Sequence, residues 1–369
     1  AIAADCARRG IGFVDAPVGR LATHADAGQS LFMVGGSAAD FARVRPMLEA
    51  MGSTIHHCGP AGAGIRTKIV NNFLAVSLCQ LNAEALTLAP DARRVDGLDA
   101  LLAADIDAVV IATPSAAHAD QSIAALNAGK AVFCQKPLGR TGPEVAAVIK
   151  AAERADRLLG VDLSYRHTAG MAAIRPLLDG GALGHVFGVD VTFHNAWGPD
   201  KPWFYDPALS GGGCVADLGV HLIDLALWSL GWPEVVHVES HLYAKGAPLA
   251  DPARQVEDYA TATLDLAGGT VVRLACSWGL QAGREAVIAA EFFGTEGGAS
   301  LRNVNGSFYD LRAERHHHIR AEPLAEPPDD WGGRAAVDWL ARLASGARFD
   351  DDARHLVTVA RVIDRIYGR

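Results

Sequence analysis

The feature that most constrains the fold is a pair of short apolar runs with a helical stretch between them. Asp107-Ala108-Val109-Val110-Ile111-Ala112 is apolar after its first residue, as in a strand buried on both faces of a parallel sheet. HADQSIAALNAGK has helical spacing and stops at Gly129, and Ala131-Val132-Phe133-Cys134 is a second apolar run. A strand, a helix and a strand of this length demand parallel strands with a right-handed crossover, and ligands gather at the carboxyl ends of such strands. Thr113-Pro114 and Gln135-Lys136-Pro137 stand at those ends.

At 369 residues and 50% hydrophobic, the chain can bury more than one core, and its length suggests two or three domains. The net charge of -9, with no Lys/Arg run beyond pairs such as Arg93-Arg94, argues against nucleic acid or an anionic membrane as partner and fits a small polar ligand. Six scattered cysteines without a CxxC pair read as reduced thiols, which points to the cytosol. No signal peptide is visible, since the opening reads as a helix end running into a strand; the absent initiator Met suggests a fragment, though methionine removal leaves the same mark. Apolar stretches such as IVNNFLAVSLCQL are interrupted by polar residues and fall short of the roughly 20 residues a membrane span needs.

Upstream, Phe13 to Val18, Leu31 to Val34 and Thr54 to Cys58 have strand length, and SAADFARVRPMLEAMG between the last two is helical. The turn Gly59-Pro60-Ala61-Gly62-Ala63-Gly64 opens a helix expected to run to about Ala89. It is ordered GxxGxG, and no acidic residue ends a second strand about 20 positions on, so a dinucleotide fingerprint is disfavoured. Lys68, Asn71 and Asn72 can share one face near the positive end of that helix, which suits an oxyanion; a solvated Lys with two surface amides reads the same way.

Downstream of Cys134, a helix at 142–158 and the strand Leu159 to Leu163 lead to Ser164-Tyr165-Arg166. After Ser210-Gly211-Gly212-Gly213, a helix carries Asp217, His221 and Asp224. Asp217 and His221 are i and i+4, so a carboxylate one turn from an imidazole could hold its tautomer and make it a better base. A buried structural Asp/His pair looks the same, and two ligands do not make a metal site, so none is assigned. His316-His317-His318 reads as a solvated turn or edge strand, and His56-His57-Cys58 as a strand. Residues 235–314 alternate with period two between glycine breaks, the mark of antiparallel strands.

These motifs resemble two families. ATPxxxH, a helix ending AGK, a strand ending in Lys-Pro and the DxGxHxxD helix together resemble the glucose-fructose oxidoreductase / inositol dehydrogenase (Gfo/Idh/MocA) family from about residue 91 to 369. Residues 1–89 resemble the middle of a β-hydroxyacid (3-hydroxyisobutyrate type) dehydrogenase. The fold class expected is α/β plus α+β: a partial Rossmann-type parallel sheet, then an open, mostly antiparallel sheet with helices on one face. The domains expected are 1–89, 90–163 and 164–369.

The first resemblance implies NAD or NADP as cofactor, near Thr113, Pro114, His118, Gln135 and Lys136. It implies hydride transfer at a secondary alcohol of a sugar or polyol, with Lys136, Asp217 and His221 catalytic and Arg166 at the substrate. His221 would be the base and Asp217 its orienter. Gln135 departs from the family's usual Glu. The second resemblance implies a hydroxyacid substrate, Lys68 as proton donor and Asn72 in its binding; Arg20 departs from the small residues of the family's DAPVSGG, and its guanidinium could bind a carboxylate, phosphate or sulfonate two-pronged or simply face solvent. A homo-oligomer is a further implication, and a non-catalytic sugar-binding module is the other reading. The glycine fingerprint that should precede Asp91 in the larger family is missing, which implies impaired cofactor binding.

Overall fold

A computed structural model describes residues 2–19, 25–69 and 93–369, and the chain divides into two units, 1–95 and 96–369. In the first unit, β1 (Val14–Asp15) and β2 (Val18–Gly19) pair antiparallel with β3 (Ser30–Gly36), and β4 (Gly52–Gly59) pairs parallel with it. The intervening helix Ala38–Glu49 starts where the Ser37 hydroxyl accepts the Asp40 N–H at 3.0 Å. Its Phe41, Val44 and Leu48 pack on Phe32 and Val34. The helix after the glycine turn is described over 63–69, so Arg20, Asn71 and Asn72 lie outside the described residues.

The glycine turn is closed from within. Asp15 accepts the Gly62 N–H at 2.5 Å and the Ile65 N–H at 2.7 Å, so a carboxylate of the chain itself takes the amides at the start of this helix. A Cβ on Gly64 would lie 2.2 Å from the Met33 carbonyl oxygen, which makes this glycine a packing requirement.

In the second unit, β5 (Ala108–Ile111), β6 (Ala131–Cys134) and β7 (Leu159–Val161) form a three-stranded parallel sheet in that order. Helices His118–Asn127 and Gly142–Ala155 cover one face, burying Val109, Ile111, Val132 and Cys134 against Leu126, Val145, Val148 and Ile149. On the other face Trp339 and Ala335 of helix Arg334–Ala344 cover Phe133 and Ala131, and of the edge strand only Ala108 packs against this cluster. Val110 is therefore 65% exposed, where the apolar run of β5 predicts burial on both sides.

Nine strands make the large sheet: β8 (Val186–Asn195), β9 (Val235–Ala244), β10 (Ala247–Pro248), β11 (Tyr259–Leu266), β12 (Val271–Ser277), β13 (Ala286–Gly294), β14 (Gly298–Asn303), β15 (Leu311–His317) and β16 (Arg320–Ala325). Their order is β10-β9-β11-β12-β8-β13-β14-β15-β16, antiparallel except for β12 beside β8. Inward residues alternate along β11 and β13 and pack with Met171, Ile174, Ile223, Leu227 and Ile363 from three helices. The fold is the expected α/β plus α+β combination.

One reading from sequence is corrected. The helical run Pro207–Ser229, 23 residues, is long and apolar enough for a membrane span, but 78% of its apolar 18-residue window is buried inside the protein. A long, mostly apolar helix belongs in a core when sheet and helices enclose it, and here its Asp217 and Asp224 are answered by Lys136 and Arg166.

Candidate active site

The carboxyl ends of β5 and β6 deliver Thr113 and Gln135-Lys136 to one place, as the β-α-β pattern predicts. Lys136 donates to the Asp217 backbone oxygen at 2.7 Å and forms an ion pair with its Oδ1. Trp278, just past β12, donates its Nε1–H to Asp217 Oδ2 at 3.0 Å. Burial by itself raises the Asp217 carboxyl, but the Lys136 ammonium and the indole N–H outweigh it and hold the group below its ordinary value. Lys136 and Asp217 line a cavity of about 170 Å3 with Thr113, Gln135, Trp203 and Phe204. Trp203 and Phe204 stack at 3.8 Å between centroids and give it an aromatic wall.

Asp217 does not orient His221. Both of its oxygens are taken by Lys136 and Trp278, and His221 Nδ1 is buried with no hydrogen-bond partner. The i,i+4 argument assumes α geometry, whereas Val215–Gly219 is a π turn, in which residues five apart align. His221 instead meets the edge of Tyr165 at 5.3 Å. Burial, reinforced by the Lys136 charge against a smaller opposing effect of Asp217, pushes its pKa down to about 3, so the ring is neutral.

One further assignment changes, that of Arg166. Asp224, fully buried, is taken by Arg166 through two bonds from one edge of the guanidinium, Nε to Oδ2 at 2.6 Å and Nη2 to Oδ1. Burial raises the Asp224 carboxyl despite that cation. The Arg166 guanidinium also lies near Trp228 and Trp232, at 5.7 and 5.2 Å, and is spent on structure rather than free for substrate. It borders a separate cavity of about 310 Å3, in whose lining Arg342 pairs with Asp350.

His118 is 1% exposed and places its ring nitrogens 2.7 and 2.6 Å from the carbonyls of Pro137 and Thr113. It ties the two strand-end loops together and has no nitrogen left for a cofactor. Gln135 donates to Asp162 at 2.8 Å, which the family's usual Glu could do only when protonated. Thr113 donates to Gln121 at 2.8 Å; Pro114 precedes the short 3-10 helix Ser115–Ala117. Lys68 lies in the helix 63–69 of the first unit, partly buried. Sequence reasoning missed Trp278; its signal is a single Trp immediately after the alternating run of β12.

Comparison with known proteins gives the family. The family model for the GFO/IDH/MocA C-terminal domain matches residues 171–300, and that for the oxidoreductase family, NAD-binding Rossmann fold, matches residues 73–163. The D-apiose dehydrogenase of Paraburkholderia graminis is 30% identical over 279 residues, 73% of this chain and 70% of that protein. The chain belongs to the Gfo/Idh/MocA family. Within the family, the levoglucosan dehydrogenase of Pseudarthrobacter phenanthrenivorans is 30% identical over 52% of this chain, and the match spans about half (54%) of that relative's length. The structure of GenD2 from gentamicin A biosynthesis in complex with NAD superposes with a TM-score of 0.62 at 26% identity, over 78% of this chain and 84% of that one. Residues 1–59 match a different model, the NAD binding domain of 6-phosphogluconate dehydrogenase, which supports a second dehydrogenase ancestry for the first segment.

The described residues of this Gfo/Idh/MocA chain fit one end of a dinucleotide only. Thr113, Gln135 and Lys136 stand at strand ends as a nicotinamide site requires. A pyrophosphate needs a glycine turn leading into a helix before β5, yet Gly97 is the only glycine between residues 65 and 128. The turn at 59–64 has Asp15 on its amides.

Proposed function

We propose that residues 96–369 bind a sugar or cyclic polyol in the Lys136–Asp217 cavity and orient one secondary hydroxyl for NAD(P)-dependent oxidation. We further propose that this chain holds the cofactor weakly. The observation that carries the reading is the Lys136–Asp217–Trp278 cluster at the carboxyl ends of β5 and β6, beside a neutral His221 with an unpartnered nitrogen. The relatives support the substrate class: they include levoglucosan, D-apiose and inositol dehydrogenases.

In this reading Lys136 donates a hydrogen bond to the reacting hydroxyl oxygen and favours its alkoxide form, because a fixed cation stabilises charge where it develops. Asp217 fixes the ammonium at one point, and Trp278 fixes Asp217. His221 is the candidate acceptor of the hydroxyl proton, but burial and the Lys136 charge make it a weak base in the unliganded chain. The aromatic wall of Trp203 and Phe204 suits the C–H face of a sugar ring. The hydride acceptor of such chemistry is a nicotinamide, and the pyrophosphate and adenosine next to it would find no site among the described residues.

The test is a titration with NADH and with reduced nicotinamide mononucleotide, followed by nicotinamide fluorescence, alongside saturation-transfer NMR with sugars and polyols. Both nicotinamides are expected to bind with Kd near or above about 1 mM and within about threefold of each other, since only the shared part is held. Sugar signals are expected in the native chain and to be lost in Lys136→Ala. NADH saturating at micromolar concentration would sink the weak-cofactor reading. Sugar binding without any turnover at millimolar cofactor would favour a binding module, and no sugar binding would remove the substrate assignment.

A further inference from the structure

Glu257, at the approach to β11, is a carboxylate that the chemistry above leaves unused. It is 0% exposed, and its hydrogen-bond partners are backbone amides and a phenol. Its Oε2 accepts the Gly213 N–H at 3.1 Å, and its Oε1 accepts the Val215 N–H at 2.8 Å and the Tyr367 hydroxyl at 2.8 Å. Its backbone oxygen also accepts the Cys214 N–H at 3.1 Å. Three consecutive amides at the start of the π turn therefore end on one residue. Burying a carboxylate is costly unless several donors satisfy it, so its presence here calls for a use.

This contact also explains the glycine run. A Cβ on Gly213 would lie 1.9 Å from the Glu257 backbone oxygen, and one on Gly212 would lie 2.0 Å from the Tyr367 phenol oxygen. The glycines let the backbone press onto Glu257 and Tyr367. From there the link to the site is two hydrogen bonds long. Gly213 gives its N–H to Glu257, and its carbonyl accepts the Asp217 N–H at 3.1 Å; the Asp217 side chain then meets Lys136.

We propose that Glu257 is a positioning residue for the Lys136–Asp217 pair: by holding the Gly213 and Val215 amides it sets where the π turn presents Asp217 to the lysine. The role rests on the reading of Lys136 and Asp217 as the substrate-orienting groups. Tyr367, from the end of the chain, shares the carboxylate and fixes its rotamer. Glu257→Gln keeps the shape but puts an NH2 where one of the two backbone amides needs an acceptor. That amide is released, and the turn carrying Asp217 relaxes away from Lys136.

The test reads Lys136 directly by NMR on lysine-labelled protein, which has six lysines: Lys68, Lys130, Lys136, Lys150, Lys201 and Lys245. Lys136→Arg assigns the signal, and Asp217→Asn gives its position without the ion pair. In Glu257→Gln the Lys136 signal is expected to move most of the way toward the Asp217→Asn position while Lys130 and Lys150 stay in place. Tyr367→Phe, which removes one donor and leaves the carboxylate, is expected to move it less in the same direction. A Lys136 signal unmoved in both folded variants overturns the proposal. Collapse of all lysine signals together in both variants also overturns it, because Glu257 and Tyr367 would then serve the whole fold. Where turnover is measurable, Glu257→Gln is expected to lower kcat by about tenfold or more with KM within about twofold, as lost alignment does. An inactive native chain with the NMR shift intact would count against the dehydrogenase reading and not against the positioning role.

Discussion

Arg166→Met is expected to cost residues 96–369 about 3–5 kcal/mol at pH 8, because it strands a fully buried carboxylate without its cation. The Asp224 side chain is 2% exposed, and Arg166 answers it through two parallel bonds while its plane lies near Trp228 and Trp232. Methionine can fill the space between the indoles but supplies no donor. For a unit of this size the loss corresponds to a melting midpoint lower by roughly 10 °C.

The pH dependence gives the assignment a signature. Burial holds the folded Asp224 pKa above its ordinary value even with Arg166 present, and removing the cation raises it further. A group with a raised folded pKa lends stability below its unfolded pKa and loses it as pH rises through the folded one. The deficit of Arg166→Met is therefore expected to be smaller at pH 5 than at pH 8. Adding Asp224→Leu, which removes the stranded charge, is expected to recover most of the loss. Urea denaturation at the two pH values checks this; a deficit under about 1 kcal/mol, or one independent of pH, would show that the pair behaves as a solvated surface bridge.

His221→Asn is expected to make the second unit more acid-resistant. The folded ring has a pKa of about 3, against about 6.5 in the unfolded chain. Between these values the unfolded chain binds a proton that the folded chain refuses, so stability is full above the unfolded value and drains away as pH falls toward the folded one. From pH 7 to pH 4.5 this single ring costs roughly 2 kcal/mol, at up to 1.36 kcal/mol per pH unit. His167 and His194 are also lowered by burial and add slopes of the same sign, which the substitution leaves untouched. The difference between the native chain and the variant should thus narrow or reverse by about that amount as the solution is acidified. Parallel stability curves would mean that the folded ring protonates normally and is better solvated than the structure shows.

The architecture was largely legible because its signals are local. The apolar runs of β5 and β6 and the helix between them announce a parallel unit, and the two-residue period of 235–314 announces an antiparallel sheet. Lys136 and Asp217, 81 positions apart in sequence, were both singled out from the chain and lie in contact. Their pairing was not legible, and neither was the part played by Trp278 or Glu257. Helical spacing suggested that Asp217 serves His221 and placed Asp224 beside it, because spacing arguments assume an α-helix throughout. The π turn at Val215–Gly219 breaks that assumption, and no residue in VADLG marks it.

The sequence by itself determined the order of elements and the strand ends at which Thr113, Gln135 and Lys136 stand. Each of these depends only on neighbours along the chain. Only the tertiary structure decided which charge meets which: Lys136 with Asp217 and Trp278, Arg166 with Asp224, Asp15 with the glycine turn, and Glu257 with the amides of the glycine run. The reason is physical. A buried charge is stable only beside a partner that desolvation makes obligatory, and that partner is chosen by how sheets and helices pack.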